Sequence, residues 1–157
     1  MRPSIPSVRA RAQLVVLWAC MIFPAGRAMA ADLTTAALEA WLARYGQAWE
    51  SRDADKAAAL FTPEATYHEM PFDAPLEGAA KIREYWARVT VDQRDIDFSS
   101  RPIMVDANNG VAEWSATFRT GSTGATIELN GVFVLEFDDA GRCTSLREWW
   151  HVRQRQE

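Results

Sequence analysis

The stretch from Arg44 to Trp86 holds the most informative signals of this chain. It contains Arg44-Tyr45, Asp53, Leu60-Phe61, Ala65-Thr66-Tyr67-His68-Glu69, Gly78 and Ile82-Arg83-Glu84-Tyr85-Trp86. We expect this frame to place the phenol of Tyr45 and the carboxylate of Glu69 where both can reach one small cavity. A phenol can hold a developing oxyanion, and a carboxylate can move a proton. The search for chemistry in this sequence therefore begins with this pair.

Three helices are predicted in the first half of the chain after residue 30. Apolar residues in the stretch 38–49 recur every three or four positions, and Thr34 or Thr35 can cap this first helix. Asp53 can cap a short second helix that ends before a proline, and a third helix follows a glycine near residue 80. Tyr45 lies on the inward stripe of the first helix.

The remaining elements are predicted to be strands. Residues 65–70 alternate, so that Tyr67 and Glu69 share one face while His68 and Met70 share the other. Turn sequences then separate four antiparallel strands, at 93–105, 111–120, 125–137 and 142–153. The expected fold class is α+β, with three N-terminal helices packed on a curved, mainly antiparallel sheet. A curved sheet closed by helices leaves a concave interior.

The first 30 residues are predicted to be a signal peptide. Three arginines form a positive start, residues 14–23 are an apolar run, and Ala28-Met29-Ala30 is a cleavage site. The apolar run is about half the roughly 20 residues that a membrane span needs. We therefore expect export, with no membrane attachment after cleavage. Lipidation at Cys20 is an alternative, although Trp18 stands where a lipoprotein cleavage box has a small residue.

The mature domain, residues 31–157, is expected to be acidic and to form one unit. The first 30 residues hold four arginines and no acids, so 13 of the 17 basic side chains remain beside all 21 acidic ones, a net charge of −8. No basic cluster is left to displace counterions, and a nucleic-acid partner is not expected. Cys143 is then the only thiol, so an internal disulfide is not expected either. The compartment, periplasm or medium, stays open.

From Arg44 to Trp150 the chain resembles the nuclear transport factor 2-like superfamily, in particular its SnoaL-like and ketosteroid isomerase branches. The segments quoted above carry this resemblance together with the ending Phe137-Asp138-Asp139-Ala140-Gly141-Arg142. It implies a cone-shaped α+β barrel with an apolar pocket for a small molecule. Because this fold hosts enzymes, binding proteins and interaction modules, an enzyme and a binding domain both stay open.

The resemblance also implies roles for single residues. Tyr45 falls on the oxyanion-binding tyrosine of the isomerases, and Glu69 falls on their general-base aspartate. Phe133 falls on an aspartic acid that those enzymes keep protonated as a hydrogen-bond donor, and a phenylalanine cannot donate. Steroid isomerisation itself is therefore not expected. The implied lining of the pocket is apolar: Tyr85, Trp86, Trp114, Ala116, Phe118, Phe133, Leu135, Leu146 and Trp150.

Glu148 is a third catalytic candidate, which strand periodicity adds to the pocket that the resemblance implies. If Leu146 and Trp150 face the cavity, then Glu148 between them faces it too. Near Glu69 in an apolar site, like-charge repulsion and desolvation would raise the pKa of one carboxyl group and keep that group neutral. The neutral carboxyl and the phenol would then hold an enolate-like oxygen while the other carboxylate removes a carbon-bound proton.

Each of these residues also has a structural alternative. Tyr45 could be a core tyrosine whose hydroxyl binds a backbone carbonyl, and Glu69 a solvated carboxylate at a strand end. Glu148 could form an ion pair with Arg119 or Arg101.

No cofactor and no metal site are expected. His68 and His151 stand next to Glu69 and Trp150, so alternation points both imidazoles away from the cavity and leaves too few convergent ligands.

Two kinds of function remain. The first is a cofactor-independent isomerase, cyclase, dehydratase or hydrolase that acts on a small, largely apolar carbonyl compound. The second is a non-catalytic ligand-binding or interaction domain. In either case two copies could pair as a homodimer through the outer face of the sheet, where Glu113, Thr117, Glu128 and Glu136 stand.

Overall fold

A computed structural model describes residues 32–155 of the chain. The predicted signal peptide and Cys20 lie outside the described residues. Within this range the order of elements is α1 (Thr35–Glu50), α2 (Ala54–Ala58), β1 (Phe61–His68), β2 (Leu76–Glu77), α3 (Ala79–Val89), β3 (Gln93–Asp106), β4 (Asn109–Thr120), β5 (Thr126–Phe137) and β6 (Cys143–Arg155). The predicted α+β class with three helices is confirmed. No helix of this range is long and apolar enough to cross a bilayer.

Both predicted helix caps are present. The Thr34 hydroxyl accepts a hydrogen bond from the amide of Ala37 at 3.1 Å, and the Asp53 carboxylate accepts one from the amide of Lys56 at 3.0 Å. Each bond satisfies a backbone donor that the first helical turn leaves without a partner. α1 buries the stripe that its periodicity indicates, with Tyr45 near its centre.

The six strands form one curved, open sheet in the order β2-β1-β6-β5-β4-β3. All neighbouring strands are antiparallel except β1 and β6, which are parallel. The mainly antiparallel sheet is therefore confirmed, and the bounds of β3 to β6 agree with the predicted strands to within two residues. The parallel pairing of β1 with β6 is not part of the prediction, and it decides the geometry of the site.

β1 differs from the predicted strand at both ends. It begins at Phe61 and includes Pro63, and its register with β6 shifts between Phe61 and Thr66. A proline cannot donate to the ladder, so it is accommodated at this irregularity. The strand ends at His68, and Glu69 stands one residue beyond it instead of inside it.

The helices cover the face of the sheet that carries the buried side chains of β4, β5 and β6. α1 packs against β3. Gly46 permits this close approach, because a Cβ atom at that position would lie 2.6 Å from the ring of Phe98. Aromatic rings fill much of the space between α1 and the sheet: Trp41, Tyr45, Trp49, Phe98, Trp114, Phe133 and Phe137.

Candidate functional site

A cavity of about 240 Å³ lies between the helices and the inner face of the sheet. Its polar groups are few, and most of its wall is aromatic or aliphatic. A concave, mostly apolar chamber with a small number of polar groups is typical of small-molecule sites. The lining residues are Tyr45, Trp49, Tyr67, Glu69, Tyr85, Trp86, Val89, Gln93, Trp114, Phe118, Ile127, Leu129, Glu148, Trp150 and Val152.

Alternate residues of β6 lead from the closed end of the cavity to its mouth. Glu148 is only 5% exposed, Trp150 is half-buried and Val152 is 59% exposed. All three face inward because side chains two residues apart share one face of a strand. The carboxyl group of Glu148 therefore belongs to the deep part of the cavity, and the apolar residues belong to its entrance.

Three side chains form a buried hydrogen-bonded chain at the deep end. The hydroxyl of Tyr67 donates to Oε1 of Glu148 at 2.8 Å, and the hydroxyls of Tyr45 and Tyr67 are 3.1 Å apart. α1 supplies Tyr45, β1 supplies Tyr67 and β6 supplies Glu148. The parallel pairing of β1 with β6 brings the last two together, because Tyr67 is in register with Leu146. We call these three residues the Tyr-Tyr-Glu chain.

The protons of the Tyr-Tyr-Glu chain determine what it can donate. Each tyrosine hydroxyl carries one proton, so when Tyr67 donates to Glu148 the bond between the two tyrosines must be donated by Tyr45. With Glu148 ionised, both protons are used inside the chain and none is left for a ligand. With Glu148 neutral, one further proton is present, and the chain has one free donor. The protonation of Glu148 therefore controls whether this site can donate a hydrogen bond.

Burial raises the pKa of Glu148 to about 8. The negative charge of Glu69 acts in the same direction, whereas the hydrogen bond from Tyr67 lowers the value. Burial, followed by the charge of Glu148, likewise raises the pKa of Tyr45 and of Tyr67 well above the ordinary value for a phenol. At neutral pH both phenols keep their protons, and the neutral form of Glu148 predominates.

Glu69 is the second carboxylate of the cavity, in different surroundings. It is half-buried just after β1, and its neighbour across the cavity is Tyr85 of α3. Burial raises the pKa of Tyr85, and the negative charge of Glu69 adds to this shift. The two carboxyl groups thus differ in burial: Glu148 is enclosed, whereas Glu69 is half-buried.

The comparisons with known proteins agree with this architecture. A family model described as the SnoaL-like domain matches residues 42–146. The chain belongs to the SnoaL-like family. No curated protein matches the sequence.

Solved structures similar to this SnoaL-like chain include two enzymes and one designed protein. One is the epoxide hydrolase/cyclase-like enzyme SalBIII, which has a role in pyran ring formation in the polyether salinomycin. It is 19% identical to this chain with a TM-score of 0.64, and the match covers 73% of this chain and 92% of the SalBIII chain. The Δ5-3-ketosteroid isomerase from Mycobacterium sp. is 17% identical with a TM-score of 0.65, covering 76% and 98%. A computationally designed 17-OHP binder is 16% identical with a TM-score of 0.66, covering 76% and 97%. These likenesses show the fold of the SnoaL-like chain.

The three catalytic candidates meet at the cavity of this SnoaL-like domain, since Tyr45, Glu69 and Glu148 all line it. Their roles in catalysis remain predictions. The hydroxyl of Tyr45 binds the hydroxyl of Tyr67, and not a backbone carbonyl. Glu148 binds Tyr67, whereas Arg101 pairs with Glu113 at 3.0 Å on the outer face, so the ion pair with Arg101 is not formed.

Five of the nine residues that were expected to line the pocket do line the cavity: Tyr85, Trp86, Trp114, Phe118 and Trp150. Ala116 and Leu146 are buried and do not line it. Phe133 and Leu135 do not, because both are fully buried beneath it. The ring of Phe133 stacks on Trp114 at 5.1 Å and meets the ring of Tyr45 at 5.2 Å, so these two rings stand between Phe133 and the open space. Leu135 lies further along the sheet, paired with Gly110 and Leu146.

Sequence reasoning did not assign seven of the lining residues to the cavity: Trp49, Tyr67, Val89, Gln93, Ile127, Leu129 and Val152. For Tyr67 the signal was present, because alternation already placed it on the same face as Glu69. Trp49 lies on the inward stripe of α1, four residues after Tyr45, so helical periodicity could also have placed it in the cavity wall. No local pattern distinguishes Gln93.

The histidines lie away from this cavity. Nε2 of His68 is hydrogen-bonded to the carbonyl oxygen of Asp73 at 2.7 Å, and His151 is exposed on the outer face of the sheet. Among residues 32–155 there is no group of three or more His, Cys, Asp or Glu side chains placed to hold a metal ion.

Proposed function

We propose that this SnoaL-like domain is a cofactor-independent enzyme that moves a proton on a small, largely apolar ketone. The observation that carries the proposal is the pair of unlike carboxyl groups at one cavity: Glu148 is buried, with its pKa raised to about 8, and Glu69 is half-buried at the end of β1. Two carboxyl groups in unlike environments at one site are the usual arrangement of an acid and a base. Similarity in fold to an isomerase and to a cyclase-like enzyme supports the same class of chemistry.

The proposed reaction begins at Glu69. Its carboxylate removes a proton from the carbon beside the ketone, and the electron pair of that C–H bond becomes the double bond of an enolate. The free donor of the Tyr-Tyr-Glu chain binds the carbonyl oxygen as negative charge develops on it. In a ketone with a double bond between its β and γ carbons the enolate is a dienolate, and Glu69 returns the proton to the γ carbon, which moves the double bond to the α,β position without any loss of atoms; in a saturated ketone the proton returns to the same carbon, which is exchange. The aromatic wall keeps water from competing for the enolate.

Hydrogen–deuterium exchange tests this proposal without knowledge of the natural substrate. The probes are 1-indanone, 2-indanone, 1-tetralone and 2-tetralone, and quenching of tryptophan fluorescence identifies which of them bind. Proton NMR in D₂O then follows loss of the hydrogens beside the ketone. We expect the wild-type domain to accelerate exchange of a bound ketone, and Glu69→Gln to lower the enzymatic rate by about 100-fold or more. Ketones that bind without accelerated exchange contradict the catalytic proposal.

Glu64→Gln is the matched control for Glu69→Gln. Glu64 lies on β1, five residues before Glu69, but its side chain is exposed and does not line the cavity. This variant changes the net charge equally and should leave the exchange rate unchanged. An equal loss in both variants would show that net charge, and not a positioned base, governs the rate.

A ligand-binding function without turnover is the second candidate. It is favoured by the hydrogen bonds from Tyr45 to Tyr67 and from Tyr67 to Glu148, because each of these three side chains already has a partner within the protein and can serve structure alone. The designed 17-OHP binder is an example of this fold used for binding. The exchange experiment separates the two candidates.

Export and dimerisation complete the proposal. Export rests on the charged start, apolar run and Ala28-Met29-Ala30 site of the sequence. Mass spectrometry of the protein recovered outside the cytoplasm should give a chain that begins at Ala31. Dimerisation rests on the outer face of the sheet, where Trp149 is 47% exposed.

A further inference from the structure

Gln93 is a polar residue of the cavity that the proposed proton transfer does not use. Nε1 of Trp49 donates a hydrogen bond to Oε1 of Gln93 at 2.7 Å. An indole N–H can only donate, so the oxygen of the Gln93 amide must face Trp49. The –NH₂ group of Gln93 therefore faces away from the indole.

Hydrogen bonds also fix the backbone of Gln93. Its carbonyl oxygen accepts hydrogen bonds from Nη1 of Arg52 at 3.3 Å and from Nη1 of Arg94 at 2.8 Å. Its backbone N–H donates to the carbonyl oxygen of Thr90 at 3.2 Å, whereas its side-chain Nε2 donates to no acceptor among residues 32–155. Gln93 is half-buried and lines the cavity, so its two N–H groups remain accessible. The buried indole nitrogens of Trp86 and Trp114 also lack partners in this range, but they are closed off from solvent.

Gln93 and Glu148 occupy different positions along the sheet. Glu148 pairs with Phe133, near the closed end of the cavity, whereas Gln93 pairs with Thr120 at the opposite end of β4. Trp114 and Trp150 lie between these positions, on either side of Gly131. The cavity therefore has a hydrogen-bonding group at each end and an aromatic wall between them.

We propose that Gln93 is a specificity-determining residue that donates a hydrogen bond to a second oxygen of the ligand. The inference rests on the proposed function and narrows its ligand class to flat, apolar molecules with one oxygen near Glu148 and another acceptor oxygen near Gln93. Trp49 is the positioning residue, because its indole N–H fixes which way the Gln93 amide points.

Two probes that differ by one acetyl group, which carries the second oxygen, test the inference. These are 2-naphthol, with one hydroxyl group, and 6-acetyl-2-naphthol, which adds a ketone at the far end of the same ring system. A hydrogen bond contributes about 0.5–1.5 kcal/mol, so the wild-type domain should bind the acetyl compound about 2- to 10-fold more tightly. The ratio of the two dissociation constants is the quantity measured, because it cancels general changes of the cavity.

Gln93→Glu is the decisive variant. A glutamate keeps the shape of Gln93 and can still accept the hydrogen bond of Trp49, but its second oxygen cannot donate and repels a ketone oxygen. The preference should disappear or reverse, so that 2-naphthol binds as tightly as the acetyl compound or more tightly. Gln93→Leu should bring the ratio close to one. Trp49→Phe keeps an aromatic ring but frees the amide to turn, and should lose most of the preference.

Gln154→Leu is the matched control. Gln154 lies at the same end of the sheet on β6, opposite Ile127, but its side chain is exposed and does not line the cavity. In Gln154→Leu the ratio of the two dissociation constants should equal that of the wild type. Equal affinities of the two probes for the wild type, or an unchanged ratio in Gln93→Glu, would overturn the role of Gln93 and leave the proposed proton transfer standing. If neither naphthol binds, the proposed ligand class is wrong, and the role of Gln93 is rejected with it.

Discussion

The hydroxyl of Tyr67 donates a hydrogen bond to Oε1 of Glu148 at 2.8 Å, across a separation of 81 residues in the sequence. The bond joins β1 to β6, the one parallel pair in the described sheet. It gives a deeply buried carboxyl group a fixed orientation and one satisfied oxygen. The same bond lowers the pKa of Glu148, against the larger effect of burial that raises it. Tyr67 therefore influences both the position and the protonation of the proposed acid.

Loss of the Tyr67 hydroxyl should raise the pKa of Glu148 above its value of about 8. In Tyr67→Phe the ionised form of Glu148 loses a hydrogen bond worth about 1 kcal/mol or more, which corresponds to about one pH unit. NMR titration of the ¹³C-labelled glutamate carboxyl group measures the change. Tyr45→Phe serves as the control, because it leaves the bond between Tyr67 and Glu148 in place. An unchanged or lower pKa in Tyr67→Phe would contradict the hydrogen bond.

Stability should fall as the pH rises from about 4.5 to about 8, through the contribution of Glu148. The pKa of this group is raised from 4.5 in the unfolded chain to about 8 in the folded domain, so between these values the folded state holds a proton that the unfolded state has lost. Its contribution is fully present below pH 4.5 and is lost as the pH passes through 8. The slope for one such group is about 1.4 kcal/mol per pH unit at most.

Glu148→Gln should remove this dependence on pH. The amide has the shape of the neutral acid and still accepts the hydrogen bond of Tyr67, but it cannot ionise. Chemical denaturation of both proteins at pH 5, 7 and 9 measures the difference in free energy of unfolding. The free energy of unfolding of the variant should increase relative to that of the wild type as the pH rises, and parallel profiles would contradict the raised pKa.

Proton exchange by the wild type should also decline above pH 8, where the Tyr-Tyr-Glu chain loses its free donor.

Gly131→Ala should damage the aromatic wall of the cavity. A Cβ atom at Gly131 would lie 2.6 Å from the carbonyl oxygen of Trp149, 2.8 Å from Cβ of Trp150 and 2.9 Å from Cε2 of Trp114. Overpacking of this kind costs about 1–3 kcal/mol. Thermal unfolding should show the loss of stability, and naphthol binding should weaken because Trp114 and Trp150 line the cavity. Gly141→Ala controls for general effects, since a Cβ atom there meets no atom within 4 Å, although its φ of 73° adds backbone strain. Naphthol affinity should change in Gly131→Ala alone.

Trp149→Lys should separate the proposed dimer into single chains. Trp149 stands on the outer face of β6, opposite the half-buried Val132, and an exposed indole on this face is suited to contact with a second copy. Light scattering after gel filtration should give a dimeric mass for the wild type and a monomeric mass for the variant. Phe72→Lys is the control, because Phe72 is 99% exposed on a loop away from the strands of the sheet. A monomeric wild type would reject the dimer directly.

Local periodicity was sufficient for much of the fold and for part of the site. The caps at Thr34 and Asp53, the inward stripe of α1 and the turns between β3 and β6 depend on neighbouring residues, so the sequence contains their cause. Alternation also placed Glu148 on the inner face of its strand, because Leu146 and Trp150 are two residues away on either side. The family resemblance added Tyr45 and Glu69 to this set.

The contacts of these side chains depend on pairings between distant segments. Tyr67 meets Glu148 only because β1 lies parallel to β6 in one particular register, and no pattern within either strand specifies that register. Gln93 meets Trp49 because α1 packs on β3. Phe133 faces inward as alternation requires, yet the rings of Trp114 and Tyr45 separate it from the cavity. Which inward residues reach open space is a result of packing.

The elements, their caps and the inward face of each strand can be read from the sequence, since they follow from backbone geometry and the spacing of apolar residues. The enclosure of Glu148, its hydrogen bond with Tyr67 and the free donors of Gln93 at the other end of the cavity arise only when the chain is folded. Desolvation and hydrogen bonding act between groups close in space, and strand register and helix packing set the distances among these groups.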